Sequence, residues 1–435
     1  MGRPGSATPE PQGHPKIVAR RNPPEMRVGY FISRFPEVSQ TFILREIDLL
    51  RARGVQTPLF AIRRPVGRHI LDDRFAEAAT ETDYILDDRF FRMLTVHVRA
   101  AASHPIAYFR TAVRTFRLAR FSARSIAWQG FYFVEAILLA ERARHAQVRH
   151  LHVHFANAGA DVAMLATHFG RSAAGNWARS WSFTMHGPTE FADVTAFKLK
   201  AKVGDAAFVA CISHFCISQL MSYTDPDDWY KLVLVRCSPP ELGYAGRSSY
   251  ARREAVPQLL AVGRLVPEKG FATLVRAVSR LLQEGVECHL TIVGDGPFRS
   301  TIEQEVRSHQ LAGAVECIGS CSNAEVHALM ADADLFCFPS FSEGLPIVLL
   351  EAILSQTPIV STDVAGIPEI LHDRTSALLV PPGDDESLAA AIGEALGDPD
   401  GARLRAAAAY SDYELRYSGS TNTDRLIAQF AGCGL

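Results

Sequence analysis

The chain has 435 residues, too many for one hydrophobic core and suited to two domains of about 200 residues each. Its 45 Lys and Arg nearly balance 47 Asp and Glu, so its overall charge does not favour a nucleic-acid partner. No apolar run reaches the roughly eighteen residues of a membrane-spanning helix. The eight cysteines are scattered, and no Cys or His pair completes a zinc site with Cys317 and Cys321. Reduced thiols in a cytoplasmic protein are expected.

Residues 1–25 are rich in Pro, Gly and Arg and lack a signal-peptide core, so a disordered leader is expected. Short apolar runs then alternate with helical patterns, as a parallel sheet flanked by helices requires. The first series predicts strands at 26–32, 55–62, 82–86, 150–155, 180–185, 206–212 and 232–235, with a helix over 41–53. Residues 238–256, polar and carrying Pro239 and Pro240, read as a linker. The second series predicts strands at 258–263, 289–293, 315–318, 335–338, 358–361 and 377–380. Beyond Asp384 the pattern is helical, with 401–435 as a terminal helical segment. The expected fold is α/β, with two Rossmann-like domains, 26–237 and 257–400, facing a central cleft.

Residues 89–134 contain no Asp or Glu. Arg110, Arg114, Arg117, Arg120 and Arg124 recur at spacings that align them on one helical face, interleaved with Phe109, Val113, Phe116 and Phe121. Two readings stay open: an interfacial helix on an anionic membrane surface, or a surface helix whose arginines pair with carboxylates of the fold.

Four segments carry chemistry. Gly263-Arg264-Leu265-Val266-Pro267-Glu268-Lys269-Gly270 follows a strand and precedes a helix, offering amides and two cations to a phosphate. It lacks the Gly-Lys-Ser/Thr of a Walker A loop. Gly294-Asp295-Gly296-Pro297 ends the next strand, where glycines permit close backbone approach at the sheet's carboxyl edge. Glu343 lies in the Glu-Gly-Leu-Pro loop that opens a helix, and Glu351 follows about two turns later on an apolar helix, where it needs a polar partner. His186 ends a strand of the first series, so an imidazole is expected at the cleft, able when neutral to meet a sugar hydroxyl or help position a reacting group, with a capping or packing His as the alternative. His152 and His154 share one face of their strand and read as structural, with no third metal ligand evident. The Asp-x-Asp at Asp332 and Asp334 also reads as structural.

The combination resembles the retaining glycosyltransferases of family 4, which have the GT-B fold. The matching segments are Gly263-Arg264-Leu265 with Lys269-Gly270, Gly294-Asp295-Gly296-Pro297, Phe338-Pro339-Ser340, the Glu343 and Glu351 pair, Thr357-Pro358-Ile359-Val360-Ser361-Thr362, and Gly366-Ile367-Pro368-Glu369-Ile370. In the first half, residues 33–42, Arg45-Glu46-Ile47, His152-Val153-His154-Phe155-Ala156 and Phe183-Thr184-Met185-His186-Gly187 resemble the colanic acid and exopolysaccharide type. Ala365-Gly366 stands where relatives often have Gly-Gly, and Ser355-Gln356 where a glycine is frequent.

The resemblance implies an acceptor-binding first domain and a nucleotide-sugar-binding second domain. It implies that Arg264 and Lys269 hold the donor diphosphate, Glu343 the sugar hydroxyls and Glu351 the ribose. The amides of Gly344 and Leu345 would lie near sugar or phosphate, with Gly294 in the donor site, His186 at the sugar or acceptor side, and His186 and Glu343 as the catalytic residues. The implied reaction moves a sugar from a UDP- or GDP-linked donor to a glycan or lipid-linked acceptor. No cofactor is expected, because fixed cations and helix N-termini can meet the leaving diphosphate without a metal. A non-catalytic nucleotide-sugar-binding subunit and a nucleotide-sugar isomerase remain the alternatives.

Overall fold

The computed structural model describes residues 26–37, 40–65, 73–88, 90–119, 122–173, 177–239, 256–417 and 419–435. The expected leader, most of the expected linker, and Arg120 and Phe121 lie outside them.

The first domain opens with β1 (Val28–Arg34), α1 (Thr41–Ala52), β2 (Leu59–Arg63), α2 (Asp73–Glu81) and β3 (Asp83–Tyr84). Three helices follow without an intervening strand: α3 (Phe90–Ser103), α4 (Pro105–Arg117) and α5 (Ala123–His145). The alternation then resumes with β4 (His150–His154), α6 (Ala158–Ser172), β5 (Ser180–Met185) and α7 (Leu199–Asp205). The sheet closes with β6 (Val209–Cys211), α8 (His214–Tyr223) and β7 (Leu232–Leu234). All seven strands are parallel, in the order β3-β2-β1-β4-β5-β6-β7.

The second domain runs β8 (Gln258–Val262), α9 (Phe271–Gln283), β9 (His289–Val293), α10 (Arg299–Ser308) and β10 (Val315–Gly319). It continues through α11 (Asn323–Asp332), β11 (Leu335–Phe338), α12 (Ile347–Leu354), β12 (Ile359–Thr362), β13 (Leu378–Val380) and α13 (Asp385–Gly397). Its parallel order is β10-β9-β8-β11-β12-β13. The local chemistry explains several boundaries. Ser322 and Glu325 form a capping box that starts α11. Buried Leu274, Val275, Val278 and Leu281 give α9 one apolar face against the sheet.

Two helices complete the chain: α14 (Pro399–Arg416) and α15 (Gly419–Gly432). The boundary expected at residue 400 falls on the first turn of α14, which packs on α12 and α13. The last helix returns to the first domain and packs on α1. There Leu426 and Phe430 are fully buried with Tyr30, Ile32 and Phe208. A terminal segment read from sequence as one unit therefore divides between the domains.

The expected arginine face over residues 110–124 is also corrected. α4 ends at Arg117 and α5 begins at Ala123, so Arg124 lies on a different helix from Arg110, Arg114 and Arg117. Arg114 is paired with Asp205 at 2.9 Å, whereas Arg110, Arg117 and Arg124 are exposed. Among the described residues no helix is long and apolar enough to cross a membrane.

Candidate functional site

In an open parallel sheet the chain leaves the strands in opposite directions at the point where their order reverses, and a crevice opens outside their carboxyl ends. Here that point lies between β1 and β4 in one sheet and between β8 and β11 in the other. The loops leaving these strands meet around one cavity of about 940 Å³. Arg264, Glu343, Gly344 and Leu345 contribute from the second domain. Ser33, Arg34, Asn157, His186 and Gly187 are among the first domain's contributions.

Glu343 is nearly buried and accepts two hydrogen bonds on Oε1, from Lys269 Nζ at 2.5 Å and from Ser340 Oγ at 2.6 Å. Lys269 also lies 5.2 Å above the Phe338 ring. The cation expected on a phosphate and the carboxylate expected on a sugar are thus joined. Arg264 is mostly exposed and 3.6 Å from Glu268, so its charge stays available to the cavity. Glu351 stands apart from the cavity lining, turned to His327 of α11 at 4.0 Å.

Two glycines set how closely the loops approach. A Cβ on Gly294 would sit 1.9 Å from the Gly263 carbonyl oxygen, and its φ of 138° is one that side chains rarely adopt. Gly294 therefore packs the β9 loop on the β8 loop and does not itself line the cavity. A Cβ on Gly344 would meet the His186 carbonyl oxygen at 2.2 Å, so this glycine lets the two domains touch.

His186 lines the cavity, but both of its ring nitrogens point into the first domain. Nε2 is 2.8 Å from His154 Nδ1, and Nδ1 is 3.9 Å from Cys237 Sγ. His154 Nε2 reaches Glu46 Oε1 at 3.1 Å, and that oxygen also accepts from the Tyr30 hydroxyl at 2.7 Å. The carboxylate requires a proton on His154 Nε2, and the neutral His186 ring shares its Nε2 with His154 Nδ1. Burial and the neighbouring His154 hold the His186 pKa well below the usual imidazole range, so the ring is neutral. This corrects the sequence expectation of a ring nitrogen offered to a sugar hydroxyl.

The row behind it follows from strand register. β4 pairs with β5 so that His150, His152 and His154 lie opposite Ser180, Ser182 and Thr184. His150 and His152 share the Ser182 hydroxyl at 2.8 and 2.7 Å, and His152 Nε2 reaches Thr184 at 2.9 Å. Burial lowers the His150 pKa to about 3. The structure adds Glu46 to His152 and His154, a third potential metal ligand that residue spacing does not reveal. All three groups already have protein hydrogen-bond partners.

Sequence reasoning also missed the polar first-domain wall. Lys202, fully buried, donates to the Ala156 and Asn157 carbonyls at 2.7 and 3.2 Å and pairs with Asp161 at 2.9 Å. Lys198 takes the other Asp161 oxygen at 2.8 Å. These pairs hold the β4 loop, where Phe155 adopts a φ of 71°. No pattern within a single segment brings Asp161 to Lys198 and Lys202.

Residues 246–413 match the family model described as glycosyl transferases group 1. The chain is a glycosyltransferase whose residues 246–413 carry the group 1 pattern. It is 27% identical over 391 residues to a putative colanic acid biosynthesis glycosyltransferase, WcaL, of Salmonella typhimurium, covering 85% of this chain and 90% of the relative. It is 26% identical to the amylovoran biosynthesis glycosyltransferase AmsK of Erwinia amylovora, covering 84% and 90%. The GT-B fold is shared with Anabaena HepE in complex with UDP, at a TM-score of 0.68 and 14% identity, covering 94% and 100%. It is shared too with sucrose-phosphate synthase of Thermosynechococcus elongatus, at a TM-score of 0.68 and 16% identity, covering 94% and 99%. The transferase thus has the architecture, and over residues 246–413 the family pattern, that its second-half motifs imply.

Proposed function

We propose that the transferase moves a sugar, with retention of anomeric configuration, from a nucleoside-diphosphate donor to a hydroxyl of a glycan or lipid-linked acceptor in exopolysaccharide or envelope glycan synthesis. The observation that carries this reading is the shared cavity, with Arg264, Glu343, Gly344 and Leu345 on one wall and the first domain's polar groups on the other. The names of WcaL and AmsK support the pathway class, and the HepE complexes with UDP and UDP-glucose make a UDP-sugar the first donor to test.

In this reading Arg264 and Lys269 hold the diphosphate, where negative charge develops as the donor bond breaks. Glu343 receives the sugar hydroxyls once Lys269 is shared with phosphate, beside the amides of Gly344 and Leu345. Glu351 takes the ribose, and Gly294 keeps the β8 and β9 loops close enough to frame the donor. His186, its nitrogens engaged inside the domain, acts as a positioning wall on the acceptor side. The cations act without a metal, so chelation by EDTA should leave transfer unchanged.

The test is a thermal-shift screen with UDP, GDP and their common sugars at up to about millimolar concentration, followed by a product assay. Stabilisation by one nucleotide family and release of its diphosphate are expected; no shift with any of them overturns the reading.

The α3–α5 surface supports a peripheral membrane role. Phe90, Phe91, Ile106, Phe109 and Phe131 are all more than 60% exposed, near exposed Arg110, Arg117 and Arg124. Salt-sensitive co-sedimentation with anionic vesicles and none with neutral ones is expected. Equal partition to both would remove this role.

A further inference from the structure

The α5 helix carries polar groups into the cavity that no donor role uses. Spacings of four, three and three place Ser125, Gln129, Tyr132 and Glu135 along one side of the helix, and all four line the cavity. Gln129 is 2% exposed and Glu135 6%. Yet Gln129 Oε1 and Glu135 Oε2 have no hydrogen-bond partner. A buried acceptor left unpaired is unfavourable in the folded state, and native proteins rarely keep two on one helix without a use for them.

The chemistry of the pair narrows what can complete it. Both orphaned atoms are acceptors, so the missing partner is a donor. A neutral hydroxyl, which both donates and accepts, fits both positions. Burial raises the Glu135 pKa to about 7 against the charge of Arg63, so the carboxyl can either accept from a hydroxyl or donate to one. Trp128, 43% exposed, lines the same cavity and offers a flat apolar face of the kind that packs against a sugar ring. The terminal torsions of Glu and Gln are broad, so a small rotation turns both oxygens toward an occupant.

We propose that Gln129 and Glu135, with the Trp128 indole beside them, form the floor of a saccharide subsite that binds hydroxyl groups of the acceptor sugar. The inference rests on the transfer reading above and assigns that reading's acceptor side to α5.

The probes are methyl glycosides of glucose, galactose, mannose and fucose, offered to the full-length protein in the presence of UDP and followed by saturation-transfer NMR. Saturation transfer to at least one glycoside is expected, and Gln129→Leu and Glu135→Leu should each weaken it about tenfold or more. Both variants should keep UDP affinity within about twofold and melt at or above the wild-type temperature, because each removes an unpaired buried acceptor. Gln129→Glu, which retains an acceptor oxygen, should restore most of the binding. The proposal is overturned if no glycoside engages the wild type or if binding survives both leucine substitutions. It is equally overturned if the leucine variants melt well below wild type, which would make the pair structural. Failure of the wild type to bind any nucleotide would instead sink the donor reading, since the glycoside signal is scored separately.

Discussion

At Glu135 the position of one carboxyl makes stability depend on pH. Its pKa is raised by burial from 4.5 to about 7. Between those values the unfolded chain releases a proton that the folded chain keeps. The stabilisation is therefore full below about pH 4.5 and lost as pH rises through 7, by on the order of 3 kcal/mol. Glu135→Gln should flatten that slope, checked by melting both proteins at about pH 5 and pH 8 and comparing the two differences. At Glu343 the geometry is coupled: Lys269 and Ser340 share one oxygen. Lys269→Ala should weaken nucleotide binding by about tenfold or more, roughly 1.4 kcal/mol, read by titration with UDP and GDP. The residues themselves were legible in the sequence because turn chemistry and spacing are local. Their union was not, because 74 positions separate them.

At the scale of elements, contact between loops sets how the two domains meet at the cavity. The Gly344 loop touches the backbone after β5, and Gly366 in turn comes so close to Gly344 that a Cβ there would fall 1.8 Å from its carbonyl oxygen. Gly344→Ala should push the two domains apart at the cavity. A displacement near 1 Å can cost about a hundredfold in rate, so kcat/KM should fall by roughly tenfold to a hundredfold while UDP affinity changes little. Steady-state kinetics with nucleotide titration would check this. Glu369 makes a second junction: its carboxylate caps the α8 N-terminus by accepting from the His214 and Phe215 amides at 2.8 and 2.7 Å. The sequence shows a Gly-Ile-Pro-Glu turn, whereas only the assembled domains show which helix that glutamate caps.

Across the whole molecule, the chain's return through α15 ties its end to the first domain. Phe430 sits fully buried against Phe208, His150 and His152 of the first sheet, although it follows the second domain in sequence. Phe430→Ala should destabilise the first domain by about 3–5 kcal/mol and expose the histidine row, measurable as an earlier melt with UDP binding retained before the transition. The sequence by itself determined the strands, their parallel α/β arrangement and the loops that form the second domain's side of the cavity. Apolar runs, helical periodicity and glycine turns act within a few residues, and the transferase motifs stand on them. Tertiary structure alone decided that His186 turns its nitrogens toward His154, that Glu46 joins His152 and His154, and that α15 covers the first sheet. It also decided that Gln129 Oε1 and Glu135 Oε2 stay without a hydrogen-bond partner at the cavity. Each of these depends on burial and on partners distant in the chain, and a side chain's neighbours across a cleft leave no period in the sequence that local patterning can reveal.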